Sequence, residues 1–305
     1  MLAYGAKRLV VALGVLLAVS LLTFVFTNVA VDPARAIAGE AAGPDTIEQI
    51  RRQYGFDRPI PIRYLAWLNG VVHGDLGISI RQQRPIIDAL GTALPITMFL
   101  ATSALCLALA IALPLGVMAA LHPNSWLDRV CLWFAVLGMA MPTFWFALIL
   151  IIVFGLWLGL TPISGYETPL HFVLPTLTLS STSIPIIMRL TRTGMIEVLS
   201  ADYIRTARAK GLLAPAILFK HALRNAVIPV VSIAAVQFGA MLAGSVVIES
   251  IFAIQGIGYL AYQAISSSDL PMVQAIILVV AFFYVALVFV ADVVNGILDP
   301  RIRVA

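Results

Sequence analysis

Residues 95–121 read PITMFLATSALCLALAIALPLGVMAAL and contain no Asp, Glu, Lys, Arg or His. An apolar stretch of about 18 residues or more is long enough to cross a bilayer as a helix. Similar stretches recur along the chain of 305 residues, of which 61% are hydrophobic and 11% charged, with a mean hydropathy of +1.00. The sequence therefore predicts an all-α polytopic membrane protein. A β-barrel is not favoured, because its strands would alternate apolar and polar residues.

Six transmembrane helices are predicted near residues 9–31, 95–121, 130–160, 170–190, 227–250 and 272–297. The first is too long for the apolar part of a signal peptide, so we interpret it as an uncleaved span. The third is longer than one crossing requires, which predicts tilt or an interfacial extension. Pro142 in the third span, and Pro175 and Pro185 in the short fourth span, predict kinks.

The distribution of Lys and Arg predicts that both termini lie in the cytosol. In that orientation the two short outer loops, near 161–169 and 251–271, contain no Lys or Arg. The long outer segment 32–94 carries the remaining arginines, and long segments are translocated largely regardless of charge. The residues expected on the cytosolic side are Lys7, Arg8, Arg129, Arg189, Arg192, Arg205, Arg208, Lys210, Lys220, Arg224, Arg301 and Arg303.

The chain is thus divided into residues 1–31, an extracytoplasmic segment 32–94 and a permease core 95–305. The outer segment has the pattern of two helices. Asp45, with Glu48 three residues on, predicts a capped helix start, and Gly55 is placed to end that helix. A second helix is predicted from Pro61 to His73, with one apolar stripe. The stripe consists of Tyr64, Trp67, Leu68, Val71 and Val72; the membrane surface, a partner and the chain's own spans are all possible neighbours for it.

A short basic helix is predicted in the cytosolic loop 190–226, within the stretch ADYIRTARAKGL (201–212). Asp202 lies in its first turn, where it can pair with Arg205, and Gly211 is a natural C′ residue. Tyr203, Ile204 and Ala207 share one face. A helix of about ten residues is marginal in water and must dock on something. The pattern leaves two interpretations open, a docking helix or an ordinary positively charged loop.

Motifs along nearly the whole chain resemble one family. The run DYIRTARAKGL…HALRNAVIPVV resembles the EAA loop of binding-protein-dependent ABC importers, in the form carried by dipeptide, oligopeptide and nickel permeases. YLAWLNGVVHGDLGIS, MPTFWFALIL, LPTLTLS, GSVVIESIFAIQGIGYL and the closing LDPRIR resemble other parts of the same permeases. Arg205-Thr206-Ala207 stands where the general motif has Glu-Ala-Ala, which is usual in the peptide and nickel branch.

The resemblance implies a transmembrane permease subunit of a bacterial inner-membrane importer for peptides or a related small solute. Its implied partners are a second homologous permease, two cytosolic ATPases and an extracytoplasmic solute-binding protein; nothing indicates nucleic acid. In this family the loop forms a coupling helix that fits a cleft on the ATPase. Carried over to this sequence, the contact residues are Asp202, Tyr203, Arg205, Ala207, Ala209 and Gly211.

We expect no enzymatic activity in the chain itself. There is no G-x-x-x-x-G-K-[ST] loop to hold ATP phosphates, so ATP and Mg²⁺ are expected in the partner ATPases, with no cofactor in this chain. The four histidines are scattered without metal-ligand spacing, and no metal site is predicted. The alternative from another class is an ion-coupled secondary transporter or a channel, which would act without an ATPase.

Polar and proline residues within the spans are candidates for the translocation path. Carboxylates in a span are functional candidates, although pairing at a span end is an equally good explanation for them. Serine in a span more often serves helix packing. Small residues such as Gly239 and Ala243 predict close helix approach, within the chain or to a partner subunit. The path candidates are Pro142, Ser181, Gln237, Glu249 and Asp292.

Overall fold

The computed structural model describes residues 2–30, 32–39 and 42–298. Arg301, Arg303 and all but the first residue of the LDPRIR motif lie outside this range. The described residues are helical apart from their connecting loops. The helices are α1 (Leu2–Val25, continued by a π-helical turn, Phe26–Ala30), α2 (Pro33–Ala38), α3 (Pro44–Gln53), α4 (Ile60–Val72), α5 (Ile86–Leu121), α6 (Trp126–Ala140), α7 (Thr143–Leu150, continued as a π-helix over Ile151–Trp157), α8 (Val173–Ser180, preceded by a 3-10 turn, Pro169–Phe172), α9 (Ser183–Ser200), α10 (Asp202–Ala209), α11 (Ala214–Ala216, followed by a π-helix, Ile217–Leu223), α12 (Arg224–Ala226), α13 (Ile228–Ile251), α14 (Ile257–Ser266) and α15 (Leu270–Leu298).

The membrane-spanning helices agree with the predicted spans in number once two breaks are taken into account. Among the described residues, four helices are long and apolar enough to cross a membrane, and the number is six when each of two bent pairs counts as one span. The second span begins at Ile86 rather than at residue 95, so the last part of the predicted outer segment belongs to α5. The fourth continues to Ser200, beyond the predicted end at 190.

Two of the three prolines that predict kinks, Pro142 and Pro185, lie at the two breaks, whereas Pro175 lies within α8 and away from either break. α6 and α7 meet at an angle of 102° at Met141 and Pro142, where a kink is predicted. The extra length of the third span, which predicts tilt or an interfacial extension, is thus divided between two helices. α8 and α9 meet at 53°, and Pro185 lies in the first turn after that break. A proline lacks the N–H that would continue the preceding helix, which explains why the breaks occur at these points.

A stripe of alanines on α5 forms the centre of the bundle. Ala104, Ala108 and Ala112 recur every four residues and are fully buried in the main hydrophobic core. One turn further on, a Cβ on Gly116 would lie 2.7 Å from Cβ of Thr191 on α9. Because these side chains are small, α9 packs directly against the backbone of α5.

Contacts at both ends of α1 and α15 show that these helices run antiparallel. Arg8 forms an ion pair with Asp292 at 3.1 Å, whereas Thr27 donates a hydrogen bond to Gln274 at 3.4 Å. Asn295 near the end of α15 donates to Ser232 at the start of α13, on the side of the basic loop. The start of α1 and the end of α15 therefore lie on the same side of the bundle as the basic loop, the side that the charge distribution assigns to the cytosol.

The outer segment contains the two helices expected of it, with one error in the predicted capping. α3 begins after Gly43, so the prediction of Asp45 as N-cap is wrong; Glu48 instead pairs with Arg51 at 3.1 Å and Arg52 at 3.3 Å. Gly55 follows the end of α3 with φ of +67°, as predicted. Of the predicted stripe, Tyr64 and Trp67 pack onto Phe24 of α1, Leu68 and Val71 are partly buried, and Val72 is exposed.

Candidate functional site

The short helix α10 lies in the cytosolic loop with the bounds that its sequence signals predict. It begins after Ala201, whose backbone is extended, and it ends at Ala209, followed by Lys210 and by Gly211, whose φ is +75°. The N–H of Gly211 donates to the carbonyl of Arg208 at 3.0 Å, and that of Leu212 donates to Ala207 at 3.3 Å. This pair of bonds is a Schellman motif, which requires a left-handed residue at C′. Gly211 is therefore the C′ residue of α10, as predicted.

The inner face of α10 rests on the chain itself. Ile204 is fully buried and Ala207 is 7% exposed. They belong to one hydrophobic cluster with residues from the end of α5, from α9 and from the segment 217–226. We call this cluster the seat of α10; its other buried members are Ala120, Met195, Ile217, Ala222 and Ala226. A helix of eight residues is too short to be stable alone, and the seat supplies the packing that it needs.

The outer face of α10 carries most of the residues expected to contact an ATPase. Asp202, Tyr203, Arg205, Ala209 and Gly211 are all exposed. Ala207 is not available on this face, because it packs into the seat. Arg205 and Asp202 approach to 4.0 Å with side chains 87% and 97% exposed, so the pair contributes little to stability. The Tyr203 hydroxyl accepts a hydrogen bond from Asn225 at 2.9 Å, which fixes the ring at the edge of the face.

Three apolar residues beside α10 extend this exposed surface and were not singled out from the sequence. Leu212, Leu213 and Phe219 are exposed large hydrophobic side chains on the cytosolic side. In the sequence they belong to the pattern GLLAPAILFKHALRNA, which predicts a helix that leads into the fifth span. The pattern does not indicate which side chains of that helix are exposed. The structure forms that segment as α11, a π-helix and α12.

The first three candidates for the translocation path lie near the breaks and in the bundle. Pro142 is exposed at the break between α6 and α7. Ser181 lies at the break between α8 and α9, where its hydroxyl donates to the carbonyl of Thr178 at 2.7 Å. Gln237 is buried and donates to the hydroxyl of Ser183 at 2.8 Å. These contacts satisfy local backbone and side-chain groups.

The two carboxylates lie towards opposite ends of the spans. Glu249 is fully buried and accepts hydrogen bonds from the Thr97 hydroxyl at 2.7 Å and the N–H of Tyr259 at 2.8 Å. It therefore joins the outer ends of α13 and α5 to the start of α14. Asp292 is paired with Arg8 near the inner surface. The five path candidates thus have separate contacts and do not form one cluster.

Fold and site together define a polytopic α-helical membrane protein that presents a short helix on its cytosolic side. The family described as binding-protein-dependent transport system inner membrane component matches residues 112–304, and its N-terminal counterpart matches residues 1–101. A putative peptide transport system permease protein of Brucella abortus is 39% identical over 306 residues, with 97% of this chain and 98% of the relative covered. A glutathione transport system permease protein of Escherichia coli is 38% identical over 304 residues, with 99% of each covered.

A solved structure has the same fold. The methionine ABC transporter MetNI, in an inward-facing conformation, matches with a TM-score of 0.56 at 17% identity, over 69% of this chain and 96% of that one. The chain belongs to the binding-protein-dependent inner membrane components and is a multi-pass permease subunit of an ABC importer of the peptide family. Such permeases work with ATPase and substrate-binding partners. This membership decides against the ion-coupled transporter or channel considered above.

Proposed function

We propose that the chain forms half of the membrane pathway of an importer for dipeptides, oligopeptides or a related small solute such as glutathione. A second homologous permease forms the other half, two cytosolic ATPases bind and hydrolyse ATP with Mg²⁺, and an extracytoplasmic binding protein delivers the solute. The names of the peptide and glutathione relatives support this solute class.

The two faces of α10 carry the proposal for the ATPase contact. Ile204 and Ala207 hold the helix on its own permease, while Asp202, Tyr203, Arg205, Ala209 and Gly211 face outward. The exposed apolar side chains of Leu212, Leu213 and Phe219 enlarge the same surface. A charged patch with an apolar margin suits a specific protein contact, in which buried apolar contacts supply affinity and charges fix the register.

Closure of the ATPases on ATP moves α10, and the seat transmits the movement to the spans. The seat includes Ala120 at the end of α5 and Met195 on α9. A movement of the coupling helix therefore moves these two membrane helices directly. The bundle then changes between inward-open and outward-open states, and the bound motor shifts the equilibrium between them.

A pair of matched glycines tests the coupling contact. Gly211 on the cytosolic side and Gly74 on the outer side both follow a helix with positive φ, +75° and +83°, and a Cβ at either would meet no atom within 4 Å. Gly211→Trp and Gly74→Trp therefore impose the same backbone strain. We expect Gly211→Trp to lower ATPase co-purification and ATP-driven uptake by roughly tenfold or more, about 1.4 kcal/mol of docking free energy.

Gly74→Trp should leave ATPase co-purification at the parental level. Both variants are measured after the same detergent extraction, with the amount of inserted chain as the reference. Full ATPase co-purification and uptake in Gly211→Trp would refute the assignment of α10 as the coupling helix. Uptake of labelled peptides and of glutathione by the parent transporter, with each candidate binding protein, tests the solute class.

A further inference from the structure

Helix α4 of the outer segment has two apolar faces, of which only one is covered by protein. Tyr64, Trp67 and Leu68 are partly buried. On the other side Ile62, Leu65 and Val72 recur at helical spacing and are 54%, 63% and 76% exposed. A helix in water would present polar residues on its outer side, as α3 does in this segment. The second apolar face therefore needs an apolar neighbour.

The covered face of α4 is attached to the outer half of α1. The hydroxyls of Tyr64 and Ser20 are hydrogen-bonded at 2.8 Å. The ring of Phe24 lies 5.4 Å from that of Tyr64 and 5.6 Å from that of Trp67, measured between centroids. Arg63 donates a hydrogen bond to the side chain of Asn28. On α4 these contacts fall within residues 63–67, little more than one turn, so α4 crosses α1 and does not run along it.

The depth of this crossing follows from the geometry of α1. The apolar span that contains α1 ends at Asn28. Phe24 and Ser20 lie one and two helical turns inside that end, which at 1.5 Å per residue places them roughly 6 and 12 Å below it. α4 therefore contacts α1 at the level where the headgroups of the outer leaflet give way to acyl chains. Interfacial helices insert to a depth of about 5–10 Å.

The surroundings of the crossing are apolar and are not covered by other described parts of the chain. α1 is at the edge of the bundle, and few residues of its apolar span are buried by the rest of the described chain. At the same level as the contacts with α4, Leu22 and Phe26 are each 70% exposed. The exposed face of α4 thus continues an apolar surface that already belongs to a membrane span.

We propose that α4 is an interfacial helix, held in the outer leaflet with Ile62, Leu65 and Val72 in contact with phospholipid. Tyr64 and Trp67 lie at the boundary between headgroups and acyl chains, the interfacial region that these residue types favour. The helix fixes the depth and rotation of α1, and it leaves the charged helix α3 on the aqueous side. This role requires neither the ATPases nor the transported solute, so it is independent of the function proposed above.

Spin-label accessibility in the full chain tests this placement. Single cysteines are introduced by Leu65→Cys, Val72→Cys, Leu22→Cys and Gln49→Cys after removal of the native thiols by Cys106→Ser and Cys131→Ala. The chains are labelled with a nitroxide in phosphatidylcholine–phosphatidylglycerol nanodiscs. Leu22 is the lipid reference and Gln49, exposed on α3, is the water reference. Collision rates with oxygen and with a water-soluble nickel chelate are compared.

We expect the ratio of the collision rates with oxygen and with nickel at positions 65 and 72 to exceed the ratio at position 49 severalfold. It should be closer to the ratio at position 22 than to that at position 49. A ratio equal to that at 49 would place the face in water and overturn the proposal. Low accessibility to both reagents would mean that protein covers the face, which would equally overturn it. Only variants whose thermal midpoint matches the cysteine-free parent are interpreted, and positions 65 and 72 serve as replicates of each other.

Discussion

The carboxylate of Asp128 accepts two hydrogen bonds from the guanidinium of Arg192, from Nε at 2.6 Å and from Nη2 at 2.7 Å. The two residues are 64 positions apart, at the start of α6 and on α9. The same carboxylate accepts the N–H of Asn124 at 2.9 Å. Asp128 is 2% and Arg192 21% exposed. Because α9 leads directly into α10, this bidentate pair fixes the helix that precedes α10.

Asp128→Asn should lower the thermal stability of the purified chain, because it leaves the Arg192 charge partly buried without its counterion. Removing one partner of a buried pair costs on the order of 3 kcal/mol. The control is Asp202→Asn, which affects a pair exposed to solvent and should leave the midpoint unchanged. Differential scanning fluorimetry in detergent measures both. Equal midpoints for the two variants would contradict the structural importance of the Asp128–Arg192 pair.

Ile204→Ala should detach α10 from its seat without preventing insertion of the chain. Truncation of a buried Ile costs about 2–5 kcal/mol, and here the loss falls on a single short helix. We expect ATP hydrolysis to continue while uptake is lost, which is seen by measuring both in proteoliposomes. Ile265→Ala is the matched control, because Ile265 is exposed on the outer helix α14. Normal uptake in Ile204→Ala would show that the seat does not transmit movement.

Gly239 allows α13 and α15 to approach each other within the chain. A Cβ at this position would overlap the ring of Tyr284, so the small-residue pattern here serves an internal contact. Gly239→Ala should lower the thermal midpoint by the equivalent of about 1–3 kcal/mol. Gly244→Ala on the same helix meets only Leu179 Cδ1 at 4.0 Å and should be neutral. Adding Tyr284→Leu should restore the thermal midpoint of Gly239→Ala towards that of the parent. If the midpoint is not restored, the loss of stability does not come from overlap with the Tyr284 ring.

Thr97 links Glu249 to the start of α14. Its hydroxyl donates to the carboxylate at 2.7 Å and accepts the N–H of Ile257 at 2.8 Å. Thr97→Val removes one hydrogen bond to the Glu249 carboxylate, which keeps the N–H of Tyr259, and leaves the buried N–H of Ile257 unpaired, at a cost of about 1–3 kcal/mol for that N–H. Thr97→Ser keeps the hydroxyl and should retain most of the stability. Amide hydrogen exchange at Ile257 and Tyr259 should accelerate in Thr97→Val only; unchanged exchange there would refute the link.

The sequence was sufficient for the features that depend on composition and on local signals. Apolar runs predict the spans, Pro142 and Pro185 predict the two breaks, and Gly211 predicts the end of α10. The start of α5 was missed because residues 86–94 include Asp88, Gly91 and Thr92, which lower the local hydropathy. In the structure Ile86 and Leu90 of that stretch are buried against α14 and α15.

The features that were not predicted depend on pairs of residues far apart in the chain. Nothing in the sequence near Asp128 indicates Arg192 as its partner, and nothing near Tyr64 indicates Ser20. The sequence places Ala207 on one face with Ile204, but it does not indicate that this face packs against the chain itself and not against a partner. Separate contacts for Glu249 and Asp292 follow from the packing of whole helices, which periodicity alone does not determine.

The seat of α10 has a consequence for the construction of hybrid permeases. Its side chains come from three separate stretches of sequence, around Ala120, around Met195 and between residues 217 and 226. Exchange of residues 202–211 alone would therefore place a foreign helix on a surface shaped for another. If α10 is the ATPase contact, as proposed above, a functional exchange between two permeases would have to transfer all three stretches together with the loop.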